Sequence, residues 1–363
     1  MKSLIAEATV ELADPEHVVR QVCDHIAEHG ATIVAHDGEI AFSLGLHRGV
    51  LRRVDSGLHI RAEAPDLSGL DEVRAVIASH LIEFAGEPAP RIRWNGDGAG
   101  LRPPLNFREV RVVEARTLTP HMRRIVFSAQ DLARFDGLLH LHVKLLLPPS
   151  RGSSTPQWPM LGEDGLMRWE GGARPAVRRY TLREIDVAAG RFSIDFVLHA
   201  DAGVGSGWAT DARPGDVIGM IGPGGRGLLP AQWYLFAGDE TALPAIARML
   251  EALADGVPAI ALIEVADATE EQAIATKASA RIRWLHRNGA APGTTSLLAD
   301  AIREVTFPTD GSSVYVWVAG EFDAFRSIRT FLRKERGLKK HEHLVVSYWR
   351  RGRSDDEAED SEA

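Results

Sequence analysis

The stretch Arg178-Arg179-Tyr180-Thr181-Leu182-Arg183 groups residue types suited to one flat, phosphorylated ligand. Arg178 can grip a phosphate through two charge-assisted N–H donors. Tyr180 can lay its ring against a planar heterocycle. Thr181 offers a hydroxyl or a backbone amide to a ring nitrogen. Tyr and Thr favour pleated backbone and the flanks alternate, so the stretch reads as a strand or strand edge. Such a segment would bind one flavin nucleotide along its length. The plainer reading is an edge strand carrying a solvated arginine pair.

Two further places carry possible chemistry. After a strand ending at His199, the residues Gly203, Gly205, Ser206 and Gly207 open a short helix that runs through Trp208 and Ala209. Glycines there expose backbone N–H groups at the positive end of the helix dipole, an anion site that can take the other side of a pyrophosphate held by Arg178. A flexible glycine loop capped by Ser206 is the alternative. Farther on, a strand at 233–237 ends in Gly238-Asp239-Glu240-Thr241, and one at 313–319 ends in Gly320-Glu321. Ligands of parallel sheets bind at such carboxyl ends, so these are candidate nicotinamide and ribose-phosphate contacts.

The elements around these residues fall into blocks. Residues 1–95 read as a small α+β domain: strands at 6–12, 31–35, 39–44, 50–54, 58–64 and 92–94, and helices at 15–30 and 67–84. Residues 96–106 form a Gly- and Pro-rich linker. Residues 107–229 carry short strands at 110–116, 122–128, 140–147, 191–199 and 216–222, with an irregular polar segment at 150–172. That pattern predicts a small antiparallel β-barrel. Residues 230–352 alternate strands (233–237, 259–265, 281–285, 313–319, 343–348) with helices (243–253, 270–277, 294–304, 325–336). That pattern predicts an α/β doubly wound parallel sheet. Residues 353–363 are an acidic tail, read as disordered.

Composition narrows the function. The chain has 363 residues, 45% of them hydrophobic and 25% charged, with a net charge of −8 that falls partly in the tail. This balance does not suggest a nucleic-acid binder. Cys23 is the one cysteine, which rules out an intramolecular disulfide and a Cys-based cluster. No apolar run reaches the length of a membrane span, and the first residues lack the order of a signal peptide, so the expected location is the cytoplasm. His25 and His29 are spaced as ligands on one helix can be, yet no third ligand is placed by sequence, and no metal site is expected.

A barrel that suits a flavin followed by a nucleotide-binding α/β domain is the layout of ferredoxin-reductase-like flavoproteins. From about Val110 to Gly352 the chain resembles the siderophore-interacting protein family. The resemblance rests on Arg178–Arg183, Asp195-Phe-Val-Leu-His199, Trp208-Ala209, Pro214-Gly-Asp216, Gly222-Pro223, Gly238-Asp-Glu-Thr-Ala-Leu-Pro-Ala-Ile246, Ala319-Gly-Glu321 and Tyr348-Trp-Arg-Arg-Gly352. Residues 1–95 look like a small accessory domain sometimes joined to that family. The resemblance implies an FAD-dependent ferric-siderophore reductase, an oxidoreductase with NADH or NADPH, or a ferredoxin, as donor; the alternatives are a general flavin-dependent electron-transfer reductase for a protein partner and a non-catalytic siderophore-binding module. It implies Arg178 and Ser206 on the pyrophosphate, Tyr180 on the isoalloxazine, Thr181 near N5, and His199 near the flavin phosphate or ribose. Gly203 and Gly205 complete the phosphate loop. Thr241 and Glu321 line the nicotinamide side, beside Gly238, Asp239, Glu240 and Gly320, and Trp349 covers the flavin or adenine. Lys144, Arg183, Arg350 and Arg351 are candidates for the basic patch that an anionic ferric siderophore needs. The second strand ends at Glu264 to Asp267 without a cation, which leans the donor toward NADH. Two departures stand out. The family has Gly-Pro-Ala before the Trp where this chain has Gly203 to Gly207, which predicts a looser flavin site. It has Gly where Ser347 stands here.

Overall fold

The computed structural model describes residues 3–28, 31–36, 38–44, 46–148, 157–169, 174–199 and 203–353. The acidic tail beyond Arg353, and His29, lie outside these residues. Two compact units divide the chain: 1–107 with 154–174, and 108–153 with 175–363.

The first unit is a six-stranded antiparallel sheet in the order Thr32–His36, Glu39–Leu44, His47–Val54, Gly57–Ala64, Leu4–Glu11, Asn95–Gly96. Helices Pro15–Glu28 and Leu67–Ala85 share one apolar cluster with it. Alternation makes this work: Leu58, Ile60, Ala62 and Ala64 of one strand and Ala6, Ala8 and Val10 of its neighbour are all buried. Asp66 caps the second helix by accepting from the Gly69 amide at 2.9 Å. The strand expected at 92–94 is instead a two-residue pairing of Asn95–Gly96 with Ala6 and Glu7. Trp94 is buried there and donates its indole N–H to the Asp164 carbonyl at 2.9 Å. Asp164 lies in the segment expected to be irregular, which contains the hairpin Pro159–Leu161 with Met167–Trp169. Leu161 also bridges to Arg102.

In the second unit a seven-stranded antiparallel sheet curls around one core. Its order is Ala176–Thr181, His142–Leu147, Val217–Gly224, Phe107–Thr119, Met122–Ser128, Arg191–Val197, Glu184–Asp186. Val110, Ile125, Phe127, Leu145, Phe192 and Ile218 fill it. The following sheet is parallel throughout, ordered Ser279–His286, Pro258–Val265, Trp233–Gly238, Val314–Glu321, His343–Trp349. Helix Leu243–Ala252 packs in one apolar cluster with Phe236, Ile263 and Trp317. Leu297–Arg303 and Phe322–Thr330 pack in another, with Leu235, Leu262 and Val316. Neighbouring strand residues point to opposite faces, so both faces of the sheet are covered, the doubly wound arrangement.

One expected helix is absent. Residues 270–277 form only the end of a three-residue 3₁₀ turn, Ala268–Glu270, followed by non-helical chain. Tertiary bonds override local propensity here. Buried Glu270 accepts from the Thr119 hydroxyl at 2.5 Å and the His121 amide at 2.9 Å, and Thr276 donates to the Leu250 carbonyl at 2.5 Å. The last helix starts earlier than expected, at Phe322, and its end widens into a π turn, Phe331–Glu335.

Candidate functional site

Strand Ala176–Thr181 runs antiparallel to His142–Leu147, with Arg179 opposite Lys144 and Thr181 opposite His142. Strand alternation puts Arg178 and Tyr180 on one face and Arg179 and Thr181 on the other. Arg178 is buried and donates to its neighbour's carbonyl, Val177 O, at 2.8 Å. The Tyr180 ring rests 4.3 Å from that of Phe196. Its hydroxyl fills the space at Gly205, where a Cβ would come within 2.1 Å of it. Only glycine lets the helix approach Tyr180 this closely.

That helix, Val204–Asp211, has Gly203 as its extended N-cap with no side-chain cap. Its first internal bond is Gly207 N to Gly203 O, 2.9 Å. The amides of Val204, Gly205 and Ser206 precede it and point out of the helix end. Ser206 sits within the first turn, so it is not the cap. Its buried hydroxyl accepts from the His199 amide at 3.3 Å, while His199 itself is exposed. Trp208 fixes the helix to the barrel against Phe127 and Phe196.

On the opposite face of the motif strand, Thr181 meets the end of the parallel sheet. Tyr348 bonds the Thr181 side chain, and its hydroxyl lies 2.5 Å from His142 Nε2. Burial, then the charges of Arg179 and Arg248, pull His142 down to about 4, so its ring is neutral. Burial and then Asp239 hold the Tyr348 phenol protonated by pushing it up. The bonds therefore run from Thr181 to Tyr348 to His142. Sequence reasoning quoted Tyr348 within a motif without giving it a role and missed His142, whose signal is its place two residues before Lys144 on the same strand face.

The carboxyl edge of the parallel sheet is dense with carboxylates. Asp239 is buried; its Oδ1 accepts from the amide and hydroxyl of Thr241 (3.0 and 2.5 Å) and its Oδ2 from the Trp349 indole at 2.7 Å. Burial, then Glu240, raise its pKa. Gly238 is obligatory, since a Cβ there would lie 2.5 Å from the Ala319 carbonyl. A Cβ on Gly320 would come to 3.0 Å from Asp239 Oδ2. Glu240 does not face open space: it pairs with Arg287, one contact being 3.0 Å. Arg287 also reaches Glu264 at 3.4 Å. Glu321 caps helix Phe322–Thr330 through the Asp323 amide at 2.5 Å and accepts from the Arg351 amide at 3.2 Å. A cavity of about 180 Å³ opens between Asp239, Glu264, Thr295 and Glu321.

The four expected siderophore cations part company. Lys144 is exposed and in register with Arg179, a second cation of the same strand face. Arg350 and Arg351 are exposed, Arg350 with its guanidinium 4.4 Å above the Phe322 ring. Arg183, in contrast, is buried in a two-bond ion pair with Glu251 of helix Leu243–Ala252, 2.6 and 2.7 Å, which takes it out of the patch. Arg248 of the same helix is also buried and donates to the carbonyls of Leu182 and Gly137, each at 3.0 Å. The tail of the motif thus fastens the barrel to the α/β domain. No helix among the described residues is long and apolar enough to cross a membrane.

Comparison with known proteins gives three matched stretches. Residues 231–352 match the family described as siderophore-interacting protein, 111–227 the siderophore-interacting FAD-binding domain, and 7–95 a family described as an uncharacterized protein conserved in bacteria. The ferric vibriobactin reductase ViuB of Vibrio cholerae is 31% identical over 249 residues, covering 67% of this chain and 89% of the relative. The NADPH-dependent ferric-chelate reductase of Escherichia coli is 32% identical over 228 residues, covering 61% and 84%. Among solved structures, a siderophore utilization protein from T. fusca superposes with a TM-score of 0.58 at 39% identity, covering 70% of this chain and 95% of that one.

Proposed function

The chain belongs to the siderophore-interacting protein family, and from that premise we propose that it is an FAD-dependent ferric-siderophore reductase. It moves electrons from NAD(P)H through flavin to chelated Fe(III), releasing Fe(II). One observation carries the reading. The Thr181–Tyr348–His142 contacts bring the Arg178-x-Tyr180-Thr181 strand and the carboxyl edge of the parallel sheet into a single site. An electron carrier and its nicotinamide donor have to meet at such a place.

The residues present fit FAD. The open amides of Val204 to Ser206 suit a pyrophosphate opposite Arg178, and Gly205 lets that helix end lie against the Tyr180 hydroxyl. Bound FAD supplies two-electron acceptance from a nicotinamide and one-electron delivery to ferric iron. The protein's own part is placement. Tyr180 offers a ring face and Trp349, held by Asp239, a second aromatic wall, while Thr181, its hydroxyl on Tyr348, ties the two sides together. Gly203 and His199 flank the phosphate end. Gly238, Thr241 and Gly320 shape the floor of the nicotinamide side. Asp239, Glu240 and Glu321 act there mainly by holding Trp349, Arg287 and the last helix. Lys144, Arg350 and Arg351 form the patch that draws an anionic ferric chelate to a chain whose net charge is −8. Ferrous iron is held far less tightly by hard oxygen donors, so reduction itself releases the metal. We place the reaction in the cytoplasm, in keeping with the single cysteine.

The test is an anaerobic visible spectrum of the purified protein, reduced chemically and mixed with a ferric siderophore and a ferrous trap. Return of oxidised flavin bands as the ferrous complex appears is the expected result. Bound flavin that stays reduced points to a protein acceptor or a ferredoxin-type exchange instead. No flavin bound, with or without added FAD, removes the reading.

A further inference from the structure

Resting on the reductase reading, we infer that this protein discriminates between its possible donors by the 2′ position of the adenosine ribose, accepting NADH and rejecting NADPH. In sheets of this kind the end of the second strand reads that ribose. A carboxylate there accepts from a 2′-hydroxyl, and a free cation there receives a 2′-phosphate. The second strand here, Pro258–Val265, places Glu264 at its end, buried. Among the described residues the cation paired with it is Arg287, one residue past the third strand, Ser279–His286, and tied to the second by its amide on the Val265 carbonyl at 3.0 Å.

Arg287 is not available to a phosphate. Its side chain is 3% exposed and both terminal nitrogens bond Glu240, one of them also reaching Glu264. Turning it outward would leave two buried carboxylates without their partner, which costs more than one new phosphate contact returns. Glu264 is held in turn by the Thr295 hydroxyl at 3.1 Å. An ionised carboxylate has about four lone-pair positions, so Glu264 keeps acceptor capacity for a ribose hydroxyl.

The adjoining cavity deepens the bias. Asp239, Glu264, Glu321 and Asp323 line it with the hydroxyls of Thr295 and Ser296, and among the described residues no Lys or Arg does. A dianionic 2′-phosphate at the end of the second strand lies beside this acidic wall and meets like charge, while an uncharged diol meets acceptors. The Escherichia coli relative carries NADPH in its name; on this inference the present chain differs from it in donor.

The test uses the FAD-loaded protein and two redox-inert fragments, ADP-ribose and 2′-phospho-ADP-ribose, titrated by calorimetry. ADP-ribose is expected to bind at least about tenfold more tightly, a gap of about 1.4 kcal/mol. Equal binding, or tighter binding of the phosphorylated fragment, overturns the inference while leaving the reductase reading in place. If neither fragment binds, the nicotinamide-donor reading falls and the inference with it. In Glu240→Gln, Arg287 loses one anchor, and the preference should shrink through tighter binding of the phosphorylated fragment alone. Should that variant not fold, the ratio in the unaltered protein decides.

Discussion

The guanidinium of Arg248 donates to the carbonyl of Leu182 at 3.0 Å, immediately behind Thr181. Its other terminal nitrogen serves the carbonyls of Gly137 and Phe135. Burial depresses the Arg248 pKa, with Asp136 offsetting part of the effect. The residue therefore acts as a charged clamp on three backbone acceptors. Arg248→Met fills the space and orphans those carbonyls. A loss of about 3 kcal/mol is expected, read as a lower urea midpoint. The FAD Kd should rise as well, because Arg248 fixes the strand that carries Arg178 and Tyr180. A variant that unfolds earlier but binds FAD unchanged would show that the clamp serves stability alone.

The buried arginine at the end of the motif and the exposed cations of the patch should separate in a binding assay. Arg183→Ala removes the buried half of a two-bond pair and leaves half-buried Glu251 without its cation, so it should lower the unfolding midpoint without altering the ferric-siderophore Kd. Lys144→Ala and Arg350→Ala leave stability within about 0.5 kcal/mol, as surface changes do. Each should weaken the ferric chelate, and more strongly at low salt. An unchanged Kd in both would remove the patch.

Much of this was legible from residue order. The switch from period-two strands to alternating strand and helix after Pro230 gave both architectures of the second unit, because each pattern has one packing solution. The motif strand and the Gly238–Thr241 turn were found for the same reason: their residue types have few structural uses. Partnership was not legible. Arg183 and Arg179 look alike in sequence, yet one faces Glu251 and the other lies in register with Lys144. Glu270 reads as a helix residue until Thr119 and His121, about 150 positions away, claim its carboxylate. The hairpin around Asp164 was hidden because its stabilising contacts, from Trp94 and Arg102, come from a distant part of the chain.

Gly205→Ala probes the phosphate cradle with one methyl group. The backbone is already helical, so the substitution carries no conformational penalty there and adds some helix propensity. The new Cβ would sit 2.1 Å from the Tyr180 hydroxyl, the far end of a side chain that can swing. Global stability should change by less than about 1 kcal/mol. Displacing Tyr180 removes its ring from the flavin position, and the FAD Kd should rise by about tenfold or more, measured by recovery of quenched flavin fluorescence. Tyr180→Leu should weaken FAD too. If Gly205→Ala binds FAD normally, the helix end and Tyr180 are not parts of one site.

His142 gives the chain a pH dependence of known sign. Its ordinary pKa is 6.5 and its folded value is about 4, set by burial and by Arg179 and Arg248. Between those values the unfolded chain takes up a proton that the folded chain refuses. Stability from this group is therefore complete above pH 6.5 and drains away as pH falls toward 4. The full window corresponds to about 3 kcal/mol. Asp239 and Glu264, both raised by burial, bias the other way, since the fold favours their protonated forms as pH drops. A raw stability profile mixes these contributions, so the informative quantity is the difference from His142→Gln, whose amide still accepts from Tyr348 and does not titrate. The unaltered protein should hold its advantage above pH 6.5 and lose it progressively on acidification. A difference that stays flat through this range would mean that the folded His142 ring takes up a proton as readily as the unfolded one, and below pH 6.5 the Tyr348–His142 bond would then have to run in the other direction.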